Sequence, residues 1–287
     1  MYQFGEILIS GLTNGSVYAV MAIGMALVYG VTRVFNFAYG SFYTLGGYLA
    51  WMLLAAGLNY WLAVILVVPM LLAAGALTER VVIRPLRRRP DWEVMAMMAT
   101  LGLALLLDNT YQGIFGSSVK SLPAFTSGTA DLLGFTVDVY DIAVFGCAIA
   151  IVVAMMLFLD RTRYGMAMEA VAQDMTGAEV VGIPKDRMFT LVFAISAVLV
   201  GMSAILLAPK FYISPFGGWE VLVKAWVITA LGGMGSIRGA IIAAFLLGLL
   251  EAFIGFQFGY MYILIAWVVV LLLVLTVRPQ GLLGTWG

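Results

Sequence analysis

MFTLVFAISAVLVGMSAILLA, residues 188–208, runs 21 residues without a charge. As an α-helix it is long enough to cross a hydrocarbon core of about 30 Å, which takes about 20 residues. Seven further apolar blocks repeat the pattern: Ile7 to Gly30, Gly40 to Ala56, Trp61 to Leu77, Val94 to Phe115, Ile142 to Leu159, Gly239 to Phe256 and Phe258 to Val277. Lipid offers backbone amides and carbonyls no partner, so these blocks are read as helices. Composition agrees. Of the 287 residues, 63% are hydrophobic and 10% charged, against about 25% charged in soluble domains, and the mean hydropathy is +1.06. The expected fold is an all-α polytopic membrane protein of about eight or nine transmembrane helices, a single domain over residues 1–287.

Net charge is zero, but its distribution carries an orientation. Thr78 to Glu93 holds Arg80, Arg84, Arg87, Arg88 and Arg89, whereas Gly116 to Asp141 sets Lys120 against Asp131, Asp138 and Asp141. The positive-inside rule puts the first loop in the cytosol and the second outside. Counting spans from there gives an outer N-terminus, a cytosolic segment from Asp160 to Arg187 and a cytosolic C-terminus. Glu6 stands where a signal peptide would carry a basic residue, so no cleaved leader is read.

The chain has one cysteine, Cys147, inside an expected span, and no histidine. Internal disulfides, Cys/His metal sites and histidine-dependent triads are excluded. Arg238 occupies the third glycine position of a G-x-G-x-x-G reading from Gly233, and no P-loop pattern occurs. Nucleotide energy, if used, must enter through another subunit.

Two patterns organise the spans. Gly11, Gly15 and Ala19, then Ala22, Ala26 and Gly30, recur four apart, as do Ala240, Ala244, Gly248 and Ala252. Such stripes let helix backbones approach closely, within a subunit or between subunits. The second pattern is interruption, at Arg33 to Gly40 and at Leu231 to Gly239. In transporters, broken helices point to the substrate path. The second interruption also reads as a cytosolic turn that leaves Val221 to Gly235 as a short crossing, the alternative being re-entry.

Ionisable and polar residues in spans each need a reason. Asp108 and Glu251 read either as wet interface residues or as part of an outward vestibule. Asn14, Ser16, Tyr18 and Asn36 are uncharged groups able to line a passage without trapping a ligand, and Asn36 lies in a break. Between spans, Asp160 to Arg187 carries Met168, Val171, Ala172 and Met175 at helical spacing, with Glu169, Asp174 and Glu179 on other faces. An amphipathic surface helix of this kind suits a groove on a cytosolic partner.

Asn36-Phe37-Ala38-Tyr39-Gly40, the run Leu231-Gly232-Gly233-Met234-Gly235-Ser236 followed by Gly239-Ala240, and the terminal Arg278-Pro279-Gln280-Gly281-Leu282 resemble the permeases of branched-chain amino acid ABC importers. The likeness is to the shorter, H-type subunit and runs over essentially the whole chain. Gly165 to Ile183 is similar to that family's cytosolic coupling segment, with Ala178-x-x-x-Gly182 as its A-x-x-x-G element. The family's usual histidine in the first motif is Tyr39 here, and its frequent proline after Gly-Ser-Ile is Arg238.

The resemblance implies a non-catalytic subunit of the bacterial inner membrane that forms half of a translocation pathway for branched-chain amino acids. Implied partners are a homologous second permease, two cytosolic ATPases that bind ATP and Mg, and a periplasmic binding protein. This chain itself is expected to hold no cofactor and no metal. Coupling would fall to Arg163, Gly165, Glu169, Asp174, Ala178, Glu179 and Gly182. The pathway would be lined by Asn14, Ser16, Tyr18, Asn36, Tyr39, Asp108 and Ser236. Relatives also carry urea, short amides or aromatic acids, and a self-contained channel or secondary transporter for a small polar solute is the alternative function.

Overall fold

The computed structural model describes residues 2–132 and 135–284, without the side chains of residues 2–4, 131, 132, 135 and 136. The Asp131 side chain, part of the charge pattern above, therefore lies outside the described residues. The helices are α1 (Tyr2–Thr32), α2 (Tyr39–Ala55), α3 (Tyr60–Thr78), α4 (Arg84–Leu86), α5 (Trp92–Phe115), α6 (Val139–Arg161), α7 (Arg163–Gln173), α8 (Met175–Val180), α9 (Lys185–Leu207), α10 (Gly218–Gly232), α11 (Ile237–Gln257) and α12 (Ile263–Val277). Seven helices are long and apolar enough to cross a membrane, among the described residues. The 17-residue α2 and the 15-residue α10 are shorter than the about 20 residues a crossing takes, so the fold is all-α and polytopic, with seven such helices beside the expected eight or nine spans.

Two features depart from the sequence reading. The stretch from Gly116 to Asp141 contains an antiparallel hairpin, β1 (Thr129–Leu132) and β2 (Phe135–Asp138), in register from Thr129 opposite Asp138. The helical path of α3 also does not stop at Leu77. It continues through a π-helical turn, Glu79–Ile83, into α4. Pro85 explains the turn: it has no amide to offer Val81, and its ring would meet that carbonyl in a regular helix, so the extra residue of a π turn relieves both.

The chain forms two compact units, neither continuous in sequence. One gathers Met1–Ala26, Pro123–Val153 and Lys224–Gly287, the other Leu27–Leu122 and Ala154–Val223. In the first, the small-residue stripes of α1 and α11 face each other. A methyl on Gly15 would stand 3.0 Å from the Phe245 Cα, and Gly248 lies against the backbone of Gly11 and Gly15. Close packing within the chain therefore accounts for the Gly11–Gly15 run of α1 and the α11 run that faces it. The turn from α10 to α11 uses positive φ at Gly233 and Gly235, and Ser236 caps α11 by accepting from the Gly239 amide at 3.2 Å. Onto this turn the C-terminal segment is pinned by Leu282 N to Leu231 O (2.8 Å) and Leu283 N to Gly232 O (3.0 Å). The glycine-rich run and the Arg-Pro-Gln-Gly-Leu run are thus one structural feature.

In the second unit α9 is the centre, with α2 and α3 against it. Gly46 lies against Gly201, and Gly75 against the Phe193 carbonyl and Ala194. A cluster of Tyr48, Val67, Leu71, Tyr111 and Ile205 fills the remaining space, and Tyr48 stacks on Phe115 with centroids 4.2 Å apart. In the first unit, the residues from Gly15 to Ala26 of α1 are all buried. By contrast Ile65, Leu106 and Leu273 stand exposed on α3, α5 and α12, as lipid-facing residues do.

Candidate functional site

The break after α1 falls inside the second unit and is closed by protein. Arg33 adopts φ 58°, and its guanidinium donates to the Ala172 carbonyl at 3.2 Å. Val34 N donates to Thr32 Oγ1 (3.3 Å), Phe37 N to Thr100 Oγ1 (3.2 Å) and Ala38 N to Asn36 Oδ1 (3.1 Å). Asn36 is buried, so its carbonyl acts as the local acceptor that lets the chain leave and re-enter helical geometry. Tyr39, which starts α2, is also fully buried.

Two residues further on, Ser41 Oγ donates to Asp108 Oδ1 at 2.7 Å, and Trp219 Nε1 donates to Asp108 Oδ2 at 2.9 Å. Tyr111 donates to the Ser41 carbonyl at 3.2 Å. Asp108 is only 2% exposed, which corrects the reading of it as a wet interface residue. Both oxygens hold α2, α5 and the start of α10 together. Beside this clamp Gly40 and Gly218 meet backbone to backbone, leaving no room for a side chain on either.

The first unit holds a second buried charge group. Lys224 Nζ lies 3.3 Å from Glu251 Oε1 and 3.0 Å from Tyr18 Oη. The Tyr18 hydroxyl has both Glu251 oxygens within reach, at 2.9 and 3.0 Å. The ammonium also sits 5.1 Å from the Tyr18 ring centroid and 5.6 Å from that of Trp267. Glu251 is 3% exposed, again a correction to a wet interface placement. Its partner was missed although the signal was present: Lys224 is an ionisable residue in the apolar stretch Val221 to Gly235, and such residues need partners.

Of the other expected pathway residues, Ser16 bonds back to the Thr13 carbonyl at 2.7 Å and Asn14 is half-buried. Asn14, Ser16, Tyr18 and Ser236 belong to the first unit, and Asn36, Tyr39 and Asp108 to the second. The structure engages Asn36, Asp108, Ser16, Tyr18 and Ser236 in hydrogen bonds that hold the fold.

The expected coupling segment forms two short helices rather than one. Thr162 caps α7 by accepting from the Gly165 amide (3.0 Å), and Asp174 ends α7 and caps α8 through the Thr176 amide (3.0 Å). Gly165, Met168, Val171 and Ala178 turn inward, and Gly165 lies on the backbone of Phe158 and Leu159. The apolar stripe thus packs on the chain itself. Arg163, Glu169, Asp174, Glu179 and Gly182 are exposed. Gly182 takes φ 86°, while Ile183 N bonds to Ala178 O and Gly182 N to Glu179 O. This Schellman closure is what the A-x-x-x-G spacing encodes. The apolar surface presented outward is Tyr164, Met166, Val180 and Val181, the last two 83% and 75% exposed.

The model of the family described as the permease component of branched-chain amino acid transport systems matches residues 7–277. The chain belongs to this permease family. It is 33% identical to the high-affinity branched-chain amino acid transport system permease protein BraD of Pseudomonas aeruginosa, over 99% of this chain and 97% of that protein. With LivH of Escherichia coli K12 it shares 31% identity over 98% and 96%. With LivM of the same strain it shares 29%, over 99% of this permease and 71% of LivM. No solved structure matches.

Proposed function

We propose that this permease is one of two membrane subunits of an ATP-driven importer for branched-chain amino acids. Its partners are a homologous permease, two ATPases that hold ATP and Mg, and a periplasmic binding protein. The similarity to both LivH and LivM, named for one transport system in one organism, supports a paired second permease. The observation that carries the reading is the surface segment from Arg163 to Ile183: a helix pair folded on its own chain that still offers Val180 and Val181 outward. ATP shifts access to the pathway only through contacts that differ between two states, and this segment is where an ATPase makes them.

Val180→Asp and Val181→Asp place charge on well-exposed positions, so folding stability is expected to change by no more than about 0.5 kcal/mol. Co-purification of the ATPase and uptake should both be lost, because the carboxylates would be desolvated in the contact. Retained co-purification with normal uptake would remove the segment from the coupling role.

The reading places the N-terminus outside, and Arg88 and the C-terminus in the cytosol of an inner-membrane protein. Arg88 and Ser127 are both exposed. In a Cys147→Ala background, Arg88→Cys should resist a membrane-impermeant thiol reagent in intact cells and Ser127→Cys should react. The opposite labelling would invert the topology.

A further inference from the structure

Glu79 is a carboxylate with no exposed surface, set in the π-helical turn that follows α3. Arg87 pairs with its Oε1. Arg84 Nη2 lies 3.4 Å from its Oε2, and the Thr190 hydroxyl reaches the same oxygen at 2.7 Å. Arg87 extends its other nitrogen to Asp186 Oδ1 at 2.8 Å and lies over the Phe189 ring, 4.6 Å from its centroid. Arg84 further donates to Thr190 Oγ1 at 3.1 Å and to the Asp186 carbonyl at 3.4 Å. Two arginines and two carboxylates balance; the two Arg–Glu79 pairs stay within the segment that follows α3, and every other link joins that segment to the first two turns of α9.

The first of these turns is also where the surface segment enters the membrane helices. Gly182 is followed by Ile183, Pro184 and then α9, and Lys185 Nζ pairs with Glu179 Oε1 at 2.8 Å. The segment of α7 and α8 is thus tied directly to the residues that precede Asp186 and Thr190. Lower down, Gly75 keeps α3 in backbone contact with α9. Glu79 is out of water with both oxygens occupied, so parting the two helices would strand a buried charge.

We propose that Glu79, with Arg84, Arg87 and Thr190, is the joint through which movement of the surface segment is passed to α3 and α9 as one body. These are positioning residues for transport, and the inference rests on the importer reading above. A π turn suits the place, since its looser backbone is a common feature of functional sites.

The test uses the complete complex in proteoliposomes with leucine as substrate. Glu79→Gln should leave assembly and basal ATP hydrolysis unchanged, while leucine imported per ATP falls by about tenfold, within the usual range of coupling between sites. Thr190→Val should lower the same ratio, and the double variant should be no worse than the more severe single one, because both act on one joint. An unchanged ratio in Glu79→Gln, or additive losses in the double variant, would overturn the proposal. Should Glu79→Gln fail to assemble, Thr190→Val decides alone, and an unchanged ratio there counts against it. A wild-type complex without ATP-dependent uptake would instead refute the importer reading itself.

Discussion

Replacing Lys224 with methionine is expected to destabilise the protein by roughly 3–5 kcal/mol, the usual cost of removing one partner from a buried ion pair. Methionine keeps much of the side-chain volume, so the loss is electrostatic. Glu251, 3% exposed, would keep only the Tyr18 hydroxyl as a donor among the groups described around it. Adding Glu251→Gln should restore most of the stability, since the neutral amide carbonyl still accepts from Tyr18 and no buried charge is left. Thermal unfolding of the purified complex across the four members of the cycle measures the coupling. A Lys224→Met protein as stable as the wild type would show that the pair contributes nothing.

The second large effect is expected from Gly40→Val. The new Cβ would run into the carbonyl of Gly218, and neither group can rotate away because both are backbone. Overpacking costs about 1–3 kcal/mol where side chains can adjust, and more where they cannot. Here the start of α2 and the start of α10 must separate, which draws Ser41 and Trp219 away from Asp108. Assembly yield and thermal stability should fall sharply. Gly218→Ala should reproduce the loss, and Gly102→Ala, with open space around it, should be silent. A stable Gly40→Val variant would mean that the close approach of the two backbones is dispensable.

The seven long helices were legible because each is an apolar block of bilayer length, a property of local sequence alone. The small-residue stripes were legible for the same reason, since spacing of four places each run on one helix face. Partners of buried charges were not. Asp108 finds Trp219 across 111 positions and Glu79 finds Thr190 across 111 as well, and no local periodicity records such pairings. In the run from Arg80 to Arg89 the arginines all looked alike, yet Arg84 and Arg87 face Glu79 while Arg88 and Arg89 are exposed. Asp174 shows the same limit at short range. As a residue on a helix face it looks polar and solvated, but as the cap of α8 it divides the surface segment in two. The A-x-x-x-G element was recognised as a pattern, and the structure supplies its cause in the Schellman closure at Gly182.

The importer reading meets its most direct test in uptake of labelled leucine by proteoliposomes that contain this chain, the second permease and the two ATPases, with the binding protein outside. Uptake is expected to require ATP inside the vesicles, to be competed by isoleucine and valine, to be indifferent to urea, and to vanish when the ATPases are omitted. Leucine or urea flux through this chain alone, without ATP, would contradict it.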